Sequence, residues 1–196
     1  MKFVQPIRDT ALIENIKEDL RLVSERNYIL FCMGIYTGLR ISDILKIRAG
    51  MVRNKTHIKI IDEKTRKKKK RRKERNIFIT RNLKADLDNY IRTMGDQEYL
   101  FPSRQKKMKN GARRQPIDRM TAYRMLNAVA KRYGLSEIGC HTMRKTWGYH
   151  LYRRDPTKLA LLMDMFGHSS QWVTLRYLGL TQDAMDEAFD ELSDTY

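Results

Sequence analysis

Near residue 56 the apolar spacing of this chain changes from helical to alternating, and near residue 80 it changes back. Thr56 to Asp62 reads THIKIID and Asn76 to Thr80 reads NIFIT, both close to period two, as strands require. Between them run eight consecutive basic residues: Arg66, Lys67, Lys68, Lys69, Lys70, Arg71, Arg72 and Lys73. Such a run cannot enter a core, so it is solvated or lies on a phosphate backbone. An antiparallel hairpin with a charged tip meets both requirements.

The rest of the pattern is helical. Asp9 or Thr10 can cap a helix through Ala11, Leu12, Ile16, Leu20 and Val23. A second helix, Tyr28 to Tyr36, ends at Thr37-Gly38, where the glycine suits a helix C-terminus. A short helix is expected over Ser42 to Lys46. Further helices are predicted at Asn82 to Thr93, Thr121 to Tyr133, His141 to Arg153 and Thr157 to Phe166, with a basic loop over residues 103–119. A last amphipathic helix, Gln182 to Leu192, places Ala184, Met185, Ala188, Phe189 and Leu192 on one side. The predicted fold class is α+β and mainly α-helical, with a small antiparallel sheet (three strands or a hairpin) near residues 51–80. At 196 residues the chain has room for one good core, so residues 1–196 are read as a single domain.

Charge narrows the partner. Forty Lys and Arg against 23 Asp and Glu give a formal net charge of +17. Residues 181–196 carry Asp183, Asp186, Glu187, Asp190, Glu191 and Asp194 and no Lys or Arg, so the remainder is more basic still. That excess points to a polyanion, DNA or RNA first. A membrane surface would call for a basic amphipathic helix, and the densest basic tract is not helical in pattern. No apolar run is long enough to span a bilayer, and residues 1–10 lack the apolar core of a secretory signal. The expectation is a cytoplasmic protein with no membrane partner. Cys32 and Cys140 are expected to be reduced and buried.

Four short stretches could carry chemistry. Arg40 stands in TGLRISD, with Asp43 three residues on, where a carboxylate can fix the guanidinium plane; an ordinary surface pair is the plain alternative. His141-Thr142-Met143-Arg144 sets a histidine and an arginine on one helix face, and both can donate to a phosphate oxygen. Alone, that pair also arises by chance in a basic protein. His168 follows Gly167 between two helices, where a capping or packing histidine is equally at home. Tyr177 lies nine residues beyond, among apolar neighbours that would suit a core tyrosine.

Order and spacing make the set specific. TGLRISD, HTMRKTWGYHL, FGHSS and the tyrosine nine residues after His168 resemble the motif boxes of the tyrosine recombinases, or phage integrases, over residues 9–192. The resemblance implies a catalytic domain that breaks and rejoins double-stranded DNA through a 3′-phosphotyrosine. It makes Tyr177 the nucleophile, Arg40 and Arg144 the clamp on the scissile phosphate, and Asp43 the support of Arg40. His141 would assist by proton transfer or hydrogen bonding, and His168 would hold a non-bridging oxygen. The family's general-acid lysine rides in a β-hairpin; Lys64 best fits that place, with Lys67, Lys68, Lys69 and Lys70 as competitors.

These residue types suit the reaction. A tyrosine hydroxyl, with a reference pKa of about 10, is a poor nucleophile at pH 7 unless positive charge favours the phenolate. Arginines and histidines also stabilise the charge that builds on phosphate oxygens. No cofactor is implied: the acids are not clustered and the histidines lack metal-ligand spacing. Family members usually carry an upstream helical DNA-binding domain, and only 39 residues precede Arg40 here. An accessory DNA-binding protein is therefore expected, and the segment after the tyrosine would link protomers into a homotetramer on DNA. Two other functions fit parts of the pattern: type IB topoisomerase-like relaxation and a non-catalytic DNA-binding regulator.

Overall fold

The computed structural model describes residues 4–61, 74–95, 98–103, 115–135 and 138–193. Helix α2 (Glu25–Thr37) forms the axis, with Tyr28 to Ile35 and Thr37 buried. Helix α1 (Thr10–Val23) packs on it through Ile13, Ile16 and Leu20. Asp9 caps α1, its carboxylate accepting from the Ala11 and Leu12 N–H groups. Gly38 ends α2 at φ 60°, as the sequence led us to expect. The Trp147 ring also lies where a Cβ at this position would sit, so glycine is required twice over. Helix α3 (Ile41–Ile44) follows, then a 3₁₀ turn at Ala49–Met51.

Strands β1 (His57–Ile61) and β2 (Glu74–Phe78) pair antiparallel, with His57 opposite Phe78 and Ile61 opposite Glu74. Ile58, Ile60 and Ile77 face the core. Of the two arrangements expected, the described residues form the hairpin, a two-stranded sheet. Its second strand begins at Glu74, two residues earlier than the alternation suggested, because the pairing includes Glu74 and Arg75.

Helices α4 (Arg81–Thr93) and α5 (Arg119–Arg132) are capped by Thr80 and Asp118. Helix α6 (Thr142–Arg154) follows, then a 3₁₀ turn at Pro156–Lys158 and α7 (Leu159–Phe166). Pro156 accounts for the 3₁₀ start of what the sequence suggested was one helix. Helices α8 (Gln171–Leu178) and α9 (Leu180–Ser193) complete the order.

One core joins α1 to α5, the hairpin and Met143 of α6. A second, smaller cluster of Leu162, Phe166 and Leu178 lies beneath Trp147 and Tyr177. Helix α6 bridges the two. Gly148 lets it sit on α7 and α8: an added Cβ would approach Leu178 Cδ2 to 2.8 Å and meet the Phe166 ring. The segment before α1 straps across α6, where the Ile7 N–H donates to Thr146 Oγ1 at 2.9 Å. Cys32 and Cys140 are buried free thiols with no disulfide between them. Among the described residues no helix is long and apolar enough to cross a membrane.

Candidate active site

Three arginines from three separate elements converge on the end of α7. Arg75 of β2 donates through Nη2 to the Asp164 carbonyl at 2.6 Å and through Nη1 to Met165 Sδ at 3.1 Å. Arg144 of α6 donates through Nη2 to the Met165 carbonyl at 2.6 Å and through Nη1 to the Gly38 carbonyl. Arg40, at the α2–α3 junction, donates through Nη2 to the Phe166 carbonyl at 3.2 Å. Carbonyls in the last turn of a helix lack intrahelical partners and form the negative end of its dipole. This row of oxygens therefore gathers guanidiniums that would otherwise repel one another.

The concentration of charge is visible in Arg144. Burial, reinforced by the Arg40 and Arg75 charges, brings its guanidinium down to about 10, against the opposing effects of Tyr177 and Asp43. Asp43 is itself buried, so its carboxylate supports Arg144 as well as standing three residues from Arg40.

Tyr177 closes the pocket from α8. Its hydroxyl lies 3.4 Å from Nδ1 of His141, the residue that precedes α6. Its ring packs at 5.0 Å from the Phe166 ring and edge-on to His168 at 5.1 Å. Burial raises the phenol above its ordinary pKa, and Arg144 and Arg40 pull it back only in part. In the free protein the positive pocket thus moderates the phenol without making it acidic. Burial, with the Arg119, Arg144, Lys145 and Arg40 charges, lowers the His141 pKa. A neutral His141 can accept the phenol proton at Nδ1.

His168 is held differently. Its Nδ1 lies 3.1 Å from Thr174 Oγ1, and that hydroxyl donates to the Ser170 carbonyl at 3.2 Å. With its own proton so engaged, the hydroxyl accepts from Nδ1–H, which fixes the tautomer.

The structure brings Arg40, Asp43, His141, Arg144, His168 and Tyr177 into one region. Lys64, its competitors Lys67, Lys68, Lys69 and Lys70, and the basic tract Arg66 to Lys73 lie outside the described residues. Three contributors escaped the sequence reading. Arg75 was hidden at the edge of a basic run. Thr174 reads as an ordinary helix residue, yet it is fully buried against His168. Lys145 stands four residues after His141, a helical spacing that puts both on one face.

The architecture is that of site-specific recombinases of known structure. XerA recombinase superposes with a TM-score of 0.69 at 19% identity, covering 96% of this chain and 64% of XerA. XerH bound to a palindromic difH substrate, in a post-cleavage complex, gives 0.67 at 18% identity, covering 96% of this chain and 52% of XerH. The sequence pattern of the phage integrase family matches residues 8–183, and the chain belongs to that family. It is 41% identical over 189 residues to the probable integrase/recombinase YoeC of Bacillus subtilis (strain 168), covering 96% of this chain and 97% of YoeC. A tyrosine recombinase of Pseudothermotoga lettingae is 25% identical over 197 residues, and there this chain spans 63% of the relative's length.

Proposed function

We propose that this chain is the catalytic domain of a site-specific DNA recombinase that cuts and rejoins double-stranded DNA through a phosphotyrosine at Tyr177. The observation that carries this reading is the approach of the Tyr177 hydroxyl to His141 Nδ1, at 3.4 Å, beside the paired guanidiniums of Arg40 and Arg144. The Tyr177 oxygen attacks the scissile phosphorus as its proton passes to His141. A bond forms from that oxygen to phosphorus, and the bond from phosphorus to the 5′-oxygen breaks. Lys64, or a neighbouring lysine of the hairpin, supplies the proton that makes the leaving oxygen a 5′-hydroxyl. The phosphodiester energy is kept in the 3′-phosphotyrosyl link, so rejoining needs no ATP.

The carbonyl row at the end of α7 orients the guanidiniums before DNA arrives, and Arg40 and Arg144 turn from that row to clamp the phosphate oxygens. Preorganisation of this kind removes a reorganisation cost at the moment of reaction. His168, already donating from Nδ1, donates to a phosphate oxygen through Nε2 only when doubly protonated, a state that a bound phosphate favours. The tract Arg66 to Lys73 contacts the DNA backbone. Helix α9 joins protomers into a homotetramer on DNA, and an accessory DNA-binding protein contributes site selection.

The test is trapping on nicked suicide duplexes of randomised sequence. An SDS-stable protein–DNA adduct with a released 5′-hydroxyl strand is expected, with recovered duplexes supporting strand exchange between two DNAs. Binding with no adduct across the pool would identify a non-catalytic regulator. Relaxation of supercoils without exchange would identify a topoisomerase-like enzyme.

A further inference from the structure

Thr174 of α8 is fully buried, and its hydroxyl is engaged on two sides. It donates to the Ser170 carbonyl at 3.2 Å, one helical turn back, and His168 Nδ1 lies 3.1 Å from the same oxygen. The first bond alone is ordinary, because a threonine in a helix often satisfies its hydroxyl on the backbone. The second is not needed to bury the residue. Valine has nearly the same shape, leaves no polar atom inside, and spares the helix the back-bond. What the threonine adds at this place is an acceptor for the histidine. Its hydroxyl proton is committed to Ser170, so its oxygen meets an N–H, and Nδ1 carries a ring proton. That assignment holds whatever the rest of the ring meets. The histidine is also fixed through its backbone, where its N–H donates to the Met163 carbonyl at 3.0 Å. Its ring packs at 5.4 Å from the Phe166 ring and 5.1 Å from the Tyr177 ring.

We propose that Thr174 is a positioning residue for His168: it holds the ring proton on Nδ1, so that a phosphate oxygen is met at Nε2, and met by an imidazolium. The inference rests on the reading of this pocket as a phosphate site with Tyr177 as the nucleophile. A neutral ring protonated at Nδ1 bears a lone pair on Nε2, which a phosphate oxygen repels. One proton taken from solvent at Nε2 gives the imidazolium. Its two N–H groups then have two acceptors, the Thr174 oxygen and the phosphate. Without the threonine oxygen the neutral ring could carry its proton on Nε2 and donate to the phosphate directly, and no positive charge would be recruited. That charge matters most as negative charge builds on the phosphate oxygens. The titratable and charged groups sharing the pocket are Tyr177 of α8, His141 before α6, Arg144 and Lys145 of α6, Arg40 and Asp43 at the α2–α3 junction, and Arg75 of β2. Their charges bear on how readily His168 takes up a proton, and Thr174 bears on which nitrogen holds it.

The experiment compares wild type, Thr174→Val and Thr174→Ser by two readouts. The first is the long-range proton–nitrogen NMR spectrum of the histidine rings without DNA, with the pH raised until each ring reaches its neutral limit. His168 is identified by the signal lost in His168→Gln. Wild type should show His168 protonated at Nδ1. Thr174→Val should move that proton to Nε2, and Thr174→Ser, which keeps the oxygen, should leave it on Nδ1. The second readout is adduct formation on the nicked randomised duplexes. Wild type comes first: without an adduct on Tyr177 the parent reading fails, whatever the tautomer. Given that adduct, Thr174→Val is expected to react about tenfold more slowly near pH 7, as loss of one hydrogen bond to a charged group implies. Thr174→Ser should stay within about twofold of wild type, and so should the DNA affinity of both variants, since most of that affinity comes from basic contacts elsewhere. If valine unfolds the chain, Thr174→Ala serves with the same expectations. Three results would overturn the proposal: a neutral wild-type ring protonated at Nε2, a valine variant that keeps the proton on Nδ1, or a shifted tautomer with wild-type cleavage. Serine as slow as valine, with its proton still on Nδ1, would also overturn it and leave Thr174 a packing residue.

Discussion

Helix α6 buries Arg144 and Lys145 to 4% and 3% exposure, whereas α9 leaves Phe189 72%, Leu192 51% and Met185 49% exposed. Buried charge and exposed large apolar side chains are the two departures from ordinary burial that carry information. In α6 the charged groups are held by partners that the fold itself provides: carbonyls of Gly38 and Met165 for Arg144, and the Tyr177 ring for Lys145. Helix α9 has no buried residue and is tied to the body at its start, where Asp183 meets Arg8 at 2.7 Å. The contrast divides the molecule by dependence. The described chemical pocket is built within one chain, whereas among the described residues nothing covers the apolar face of α9.

If the pocket is self-contained, its most direct failure is the loss of the nucleophile. Tyr177→Phe removes one hydroxyl and keeps the ring against Phe166 and His168. SDS-stable adducts should vanish while DNA binding, read by filter retention, stays within a few-fold. Arg144→Lys keeps a charge but cannot reach the Gly38 and Met165 carbonyls together with a planar fork. Adduct formation should fall roughly a hundredfold to a thousandfold. Near-normal cleavage by that variant would mean that charge alone matters there.

The basic tract should act on binding and not on the chemical step. If four of the residues Arg66 to Lys73 touch DNA, replacing those four with Gln while sparing Lys64 should flatten the slope of log affinity against log salt by about 3 to 4. Cognate and random duplexes should weaken alike, because phosphate contacts carry little sequence information. An unchanged slope in a salt titration would show that the tract points away from DNA.

Stability should separate the two helices most cleanly. Gly148→Ala forces α6 away from Phe166 and Leu178, and the denaturant midpoint should drop by the equivalent of about 1 to 3 kcal/mol. Phe189→Ser on α9 should move it by no more than about 0.5 kcal/mol, because that side chain is largely exposed. The same variant should assemble less well on DNA in sedimentation. A large fall in its melting temperature without DNA would contradict the division drawn between α6 and α9.

Much of the site was legible because the family's spacing records which residues must meet. His141 and Arg144 share a helix face by periodicity alone, and Gly38 marked the end of α2. The carbonyl row of Asp164, Met165 and Phe166 was not legible, because backbone oxygens have no residue code and their recruitment of three arginines is a tertiary event. Arg75 and Lys145 were lost in a sequence with 40 Lys and Arg, where one more cation carries no signal until burial singles it out. The apolar stripe of α9 was read correctly as amphipathic, but a stripe does not say what meets it.

Catalysis by this pocket would pass through one covalent bond, between Tyr177 and a DNA phosphate. Wild-type protein trapped on a nicked duplex, digested to peptides and nucleotides, should yield a nucleotide attached through a 3′-phosphate to the tyrosine of the peptide containing Leu175, Arg176 and Tyr177, identified by mass spectrometry. Attachment at Tyr123, Tyr149 or Tyr152 instead would contradict the assignment of the nucleophile, and with it the meaning given to the pocket around Tyr177.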